Sequence, residues 1–235
     1  SDTPTRFSLL AYLESERDRP QLPLQCHCNT CSLPCFHLQL RAPLQEKPWE
    51  PEVSDDDDPE LQAWCRRMEN EGKLQRVERL DMAVRHYVVT SGDKKRIVMD
   101  AVHFNRFTEG LYPGKVLPTC GEMLSRAFRR SHLAKFDLRA AFHCVPYHGD
   151  LQFGIQVNGT AYAYRCLPMG VRDGPAIFQY WIENVLAGLD DVLPFQDDIL
   201  ITTTDRLSLL AHWHGISERL SQVQANINLE NSAPP

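Results

Sequence analysis

The 235-residue sequence predicts an α+β fold. Segments of strand-like alternation are interleaved with segments of helical periodicity. Turn signals at Ser91-Gly92-Asp93 and Asn158-Gly159 join neighbouring strand segments into hairpins. The apolar run over 193–201 is broken by two adjacent acids, Asp197 and Asp198, and then resumes, as a strand–tight turn–strand would.

Residues 1–60 hold many prolines, a cysteine cluster and the acidic run 55–58, and their periodicity is weak. They read as an arm or linker with one short helix over 6–16. A helix follows over 59–71, with Pro59 in its first turn and Gly72 at its end. The stretch 75–90 ends in a strand over 84–90, and a second strand over 95–100 completes a hairpin. A helix over 122–130, a strand over 134–138 and a turn or short helix over 140–144 come next. Strands at 153–157 and 161–165 flank Asn158-Gly159. A helix over 175–189 precedes the Asp-Asp hairpin. An amphipathic helix over 207–224 and a last strand at 227–229 follow it, and no internal repeat is present.

Hydrophobic residues make up 43% of the chain, enough for a sizeable core. No window has the roughly 18 uninterrupted apolar residues of a membrane span. The first residues lack a charged segment followed by an apolar one, so no secretory signal, no membrane contact and an intracellular location are expected. The eight cysteines form no obvious disulfide framework, which favours reduced thiols. The net charge is −6, yet residues 94–142 carry ten Lys/Arg against four acids, a local +6. Such a segment suits a phosphate backbone, or is a solvated surface.

Carboxylates in an apolar run are costly unless their charge is compensated, and hard divalent cations prefer carboxylate oxygens. Asp137 is a third acid at the end of an apolar strand. Two acids at a hairpin and one on a neighbouring strand can form a cup for two Mg²⁺, with phosphoryl-transfer chemistry as the consequence. A lone strand-end Asp is more often a turn or cap residue.

Residues 94–232 resemble the fingers and palm of a retroelement reverse transcriptase. The resemblance is carried by Phe136-Asp137-x-x-x-Ala141-Phe142 with Val145-Pro146, and by Leu167-Pro168-Met169-Gly170 followed by Gly174-Pro175-Ala176-Ile177-Phe178-Gln179. It is carried further by Phe195-Gln196-Asp197-Asp198, by Lys95-Arg96-Ile97-Val98-Met99-Asp100 with Asn105, and by Ile227-Asn228-Leu229-Glu230-Asn231-Ser232. Five such motifs in the right order over about 140 residues are highly specific. The retained Pro-Ala-Ile-Phe-Gln leans toward retroviruses and LTR-type or tyrosine-recombinase-type retrotransposons.

The resemblance implies a right-hand polymerase fold, with an antiparallel palm sheet backed by helices, fingers, and no thumb. Residues 61–134 would be mainly fingers. Residues 135–235 would be mainly palm, with a fingers hairpin at 151–166 inserted. It implies RNA-directed DNA synthesis from dNTPs on a primed RNA or DNA template. The metal ligands would be Asp137, Asp197, Asp198 and the backbone carbonyl of Leu138, holding two Mg²⁺ with Mn²⁺ as a substitute. Arg96 would contact the triphosphate, since a planar guanidinium suits bidentate phosphate binding. Lys94 and Lys95 are candidates for a second phosphate contact, or are solvated hairpin residues. Ala141 and Phe142 would line the sugar site, with the Phe142 ring filtering out a 2′-hydroxyl. Met169 and Gly170 would lie near the templating base and the nucleotide, Gly170 permitting close backbone approach.

Three positions depart from the family pattern. Gln196 stands where a small or apolar residue is usual, Phe195 replaces Tyr, and Gly174 replaces the Ser of Ser-Pro. A reverse-transcriptase-like binding or structural protein without catalysis is the alternative, and the three retained acids count against it. Phe142 counts against a ribonucleotide polymerase. Cys26, Cys28, Cys31 and Cys35 are spaced too tightly for paired zinc knuckles, so free thiols rather than zinc are expected. His212 and His214 do not share a helix face and read as surface or packing residues. The sequence does not specify an oligomeric state.

Overall fold

The computed structural model describes residues 35–36, 38–54, 58–110 and 117–235. The helix expected over 6–16, Cys26, Cys28, Cys31 and most of the acidic run lie outside the described residues. The chain runs α1 (Pro59–Asn70), β1 (Leu74–Val77), β2 (Met82–Ala83), β3 (His86–Ser91), β4 (Lys94–Met99), α2 (Ala101–Phe107), α3 (Cys120–Ala127) and β5 (His132–Arg139). A 3₁₀ turn (Ala141–Cys144), β6 (Phe153–Val157), β7 (Thr160–Tyr164), α4 (Gly174–Val185), β8 (Val192–Phe195), β9 (Asp198–Thr203), α5 (Arg206–Gln222) and β10 (Asn226–Ile227) follow.

Among the described residues the strands form three sheets, ordered β1-β7-β6-β2, β10-β5-β9-β8 and β3-β4. Every strand pair is antiparallel except β2 with β6. The expected α+β class with antiparallel hairpins is therefore observed.

Local chemistry explains the elements. In α1, Leu61, Trp64, Cys65 and Met68 are buried at helical spacing. The Asp58 side chain accepts a hydrogen bond from the Glu60 N–H and caps the helix, and Pro59 sits where its missing N–H costs nothing. Helix α3 starts at a reciprocal Thr119–Glu122 capping box, two residues before the expected start. Helix α4 ends at Val185 rather than 189, before Gly188 with φ 78°. Helix α2 has no counterpart in the sequence reading. Its local signal is Asp100, which reads as a strand end but caps α2 by accepting from the Val102 N–H.

In β5, Ala134, Phe136 and Leu138 are buried, while Lys135 and Asp137 leave the opposite face. Phe136 stacks on Trp213 of α5, with ring centroids 3.8 Å apart. Helix α5 thus backs the sheet through one face of β5 and frees the other. Burial of a ring such as Phe136 contributes about 2–3 kcal/mol. Residues 35–36 and 38–54, expected as part of an arm, pack on the body instead. Phe36 is buried against Tyr147 and Phe153, and the Trp49 indole N–H donates to the Ala83 carbonyl. No helix among the described residues is long and apolar enough to cross a membrane.

Candidate active site

Register brings the acids together. Asp137 on β5 stands directly opposite Asp198 on β9. Phe195 pairs with Asp198 across the β8–β9 hairpin, leaving Gln196 and Asp197 as its two-residue turn. Gln196 has φ 54° and Asp197 is exposed. A positive φ at the first central residue alone is the pattern of a type II′ turn, which normally favours glycine. Holding Gln196 there costs about 1–2 kcal/mol, so something else must stabilise the turn.

Helix α4 supplies it. Gln179 is fully buried. Its Nε2 donates to the Pro194 carbonyl at 2.8 Å and to Glu183 Oε1 at 3.0 Å, and its Oε1 accepts from the Gln196 N–H at 3.0 Å. Gln196 Nε2 in turn donates to the Pro175 carbonyl at 3.0 Å. The Leu138 N–H donates to the Asp197 carbonyl at 2.8 Å, tying the hairpin tip to β5.

Asp137 is clamped from the other side by the segment after α5. Its N–H donates to Ser232 Oγ, its carbonyl accepts from the Asn228 N–H, and its Oδ2 accepts from Asn228 Nδ2 at 2.7 Å. Asn231 Nδ2 is 3.5 Å from the same oxygen. Lys135 Nζ lies 2.8 Å from Asp198 Oδ1. That close contact, with the charges of Asp198, Asp137 and Asp197, raises the Lys135 ammonium above its ordinary value against a smaller opposing effect of burial. Gln179, Asn228 and Lys135 were not assigned roles from sequence. A lone Gln on the apolar face of α4 was the available signal for the first, and the other two depend on register.

The donor set suits a hard cation. All three acids sit at one end of one sheet, and Asp198 Oδ1 is a buried oxygen lacking a well-aligned hydrogen bond. The side chains are not gathered around a single point: among the described residues no three His, Cys, Asp or Glu form a ready metal cage. Asp137 is turned to Asn228 and Asp198 to Lys135 instead.

Around the acids, the half-buried Phe142 stacks on Phe178 of α4, with centroids 5.4 Å apart and planes 26° apart. A Cβ on Gly174 would come within 3.2 Å of the Phe142 ring, so the glycine leaves room for the ring. Ala141 is buried. Met169 is exposed, and Gly170 has φ 98°, its α-carbon facing Ala101 and the Met99 carbonyl. The close approach made by Gly170 is thus to the start of α2. Asn105 of α2 donates to the Gly170 carbonyl and accepts from the Arg172 N–H. On β4, Ile97 and Met99 pack inward with Lys95 on their face, where it pairs with Glu60 at 2.9 Å. Lys94 and Arg96 leave the other, exposed face.

A cavity of about 270 Å³ between α3 and the β8–β9 hairpin is lined by Arg126, Arg129, Arg130 and Asp191 among others, and none of the three acids lines it. Cys65, Cys120, Cys144 and Cys166 are thiols, and burial pushes Cys65 and Cys166 up to about 12. His212 Nδ1–H donates to the Ser208 carbonyl within α5.

The family model described as reverse transcriptase (RNA-dependent DNA polymerase) matches residues 94–233. The chain belongs to the reverse transcriptase family. Its sequence is similar to the Transposon Tf2-3 polyprotein of Schizosaccharomyces pombe, 26% identical over 138 residues, covering 57% of this chain and 10% of the polyprotein. The Transposon Tf2-7 polyprotein of the same organism is 25% identical over the same length. The chain therefore spans about a tenth of these relatives. Among solved structures, the foamy viral protease-reverse transcriptase in complex with an RNA/DNA hybrid superposes with a TM-score of 0.72 at 18% identity, covering 100% of this chain and 32% of that one. A second structure of that reverse transcriptase, with its partner double-stranded DNA, gives a TM-score of 0.67 at 21% identity over 80% of this chain and 33% of that one. These likenesses show the right-hand polymerase fold.

Proposed function

We propose that this reverse transcriptase domain carries out RNA-directed DNA synthesis on a primed RNA or DNA template, adding deoxynucleotides from dNTPs. The observation that carries the reading is the register of Asp137 against Asp198 with Asp197 at the adjoining turn, inside the family match. In this reading residues 61–134 are mainly fingers and 135–235 mainly palm, with β6–β7 a fingers hairpin. Nucleic-acid binding is supported by the basic segment 94–142 and by the complexes that the structural neighbours form.

Asp137, Asp197, Asp198 and the Leu138 carbonyl would hold two Mg²⁺, or Mn²⁺. Bound there, divalent ions neutralise phosphate charge and raise the acidity of the primer hydroxyl. The protein's own part is positioning. The Gln179 latch and the Asn228 clamp fix the acids relative to one another. Arg96, and with it Lys94 or Lys95, meets the triphosphate. Ala141 and Phe142 receive the sugar, and Met169 and Gly170 border the nucleotide. The primer 3′-oxygen forms a bond to the α-phosphorus, the α–β bridging P–O bond breaks, pyrophosphate departs and the hydroxyl proton is released.

The test is extension of a DNA primer on an RNA template by the 235-residue chain with Mg²⁺ and dNTPs, with NTPs in parallel. Products with dNTPs and few with NTPs are expected. No extension with dNTPs contradicts the reading.

A further inference from the structure

Lys135 and Asp137 are two residues apart on β5, so both side chains leave the same face of the sheet. Asp198 leaves that face from β9, opposite Asp137. Two carboxylates directly opposite each other on neighbouring strands repel. Lys135 lies on the spot that relieves this, with Nζ 2.8 Å from Asp198 Oδ1. That oxygen is shielded from solvent and has no well-aligned hydrogen bond, so the lysine charge is what compensates it. Asp137 meanwhile is held by the uncharged amide of Asn228, which neutralises nothing. The lysine is anchored as well as charged. Its backbone pairs with Leu200 in β9 on one side and exchanges two hydrogen bonds with Ala233 on the other.

We propose that Lys135 is an internal counter-cation that occupies Asp198 in the metal-free protein and competes with divalent ions for that carboxylate. The inference rests on the metal-site reading given above. An incoming cation must displace the ammonium before it gains the Asp198 oxygen. The lysine therefore lowers the repulsion among the acids when no ion is present, at the expense of metal affinity. Lys135 is a positioning residue in this account, acting through Asp198.

The pair is part exposed, so its worth is that of a surface ion pair, and Lys135→Met is expected to tighten metal binding by about two- to fivefold. The measurement is a titration of the 235-residue chain with Mn²⁺ alone, reading free Mn²⁺ by electron paramagnetic resonance. Lys135→Arg, which keeps the cation, is expected to stay near the wild-type affinity. In an Asp198→Asn background Lys135→Met is expected to make no further difference, because the carboxylate in contention is gone. A lysine serving only to hold the sheet together predicts the opposite sign, since its loss would loosen the site and weaken Mn²⁺ binding. Unchanged or weaker binding by Lys135→Met overturns the proposal, as does a gain of equal size in the Asp198→Asn background. Asp197→Asn separates the two levels. If it loses Mn²⁺ while Lys135→Met gains none, only the counter-cation fails. If wild type binds no Mn²⁺ that Asp197→Asn loses, the metal site fails, and the counter-cation with it.

Discussion

Phe142 stacks on Phe178, and the missing side chain of Gly174 leaves room beside its ring. In the proposed gate, a ring backed by Phe178 would discriminate by clash with a 2′-hydroxyl. Phe142→Ala is expected to raise ribonucleotide over deoxynucleotide incorporation by about tenfold or more, measured as the ratio of the two kcat/KM values. An unchanged ratio refutes the gate. At this scale the positions of the acids were legible, because motif spacing put Asp137 at a strand end and Asp197 and Asp198 at a hairpin. Gly174 was legible only as a departure from the family pattern. Its reason, clearance for Phe142, is a three-dimensional contact between residues 32 apart. Lys135 escaped notice because its partner is decided by the β5–β9 register, which no local pattern encodes.

The β8–β9 hairpin and α4 behave as one element. The turn holds a strained non-glycine residue, and the buried Gln179 bonds both its Pro194 carbonyl and its Gln196 N–H. Gln179→Leu keeps the volume and removes the latch. It is expected to slow single-nucleotide incorporation by about 10- to 100-fold through misplacement of Asp197. It should lower unfolding free energy by about 1–3 kcal/mol, read by urea denaturation. A normal incorporation rate in folded variant protein would show that the latch does not position the acids. Elements with strong local signals were readable: the Asn158-Gly159 hairpin joins β6 and β7 as expected. Those set by weaker ones were not. Helix α2 is seven residues long, too short for a clear period, and β1 and β2 are four and two residues long and exist through pairing with β7 and β6.

Across the whole molecule, one core joins the sheets, and His86 sits fully within it. Its ring lies 5.8 Å from both Trp64 and Tyr164. Its Nδ1–H donates to the Val84 carbonyl, and its Nε2 accepts from the Tyr164 hydroxyl. Burial lowers His86 from its usual 6.5 to about 4. His143, six residues after Asp137, is lowered to about 4 by burial and then by Lys73. Both are neutral in the fold and gain protons on unfolding. Stability is therefore fully present above the unfolded value and is lost as pH falls from 6.5 toward 4. Between about pH 7.5 and about pH 5 each group costs about 2 kcal/mol, and His86→Gln is expected to remove its share of that loss in urea titrations. An unaltered acid slope contradicts the assignment. The integration of residues 35–36 and 38–54 into this core is hidden in the sequence, because prolines and weak periodicity mimic a linker while Phe36, Trp49 and Ser54 make specific long-range contacts. The proposed function has one central claim, that the β5 and β8–β9 acids perform nucleotidyl transfer. Its most direct test is single-turnover incorporation of one deoxynucleotide on an RNA template by wild type and by Asp197→Asn/Asp198→Asn. Extension by wild type and a loss of about a thousandfold or more in the variant are expected. Equal incorporation by the two would contradict that claim.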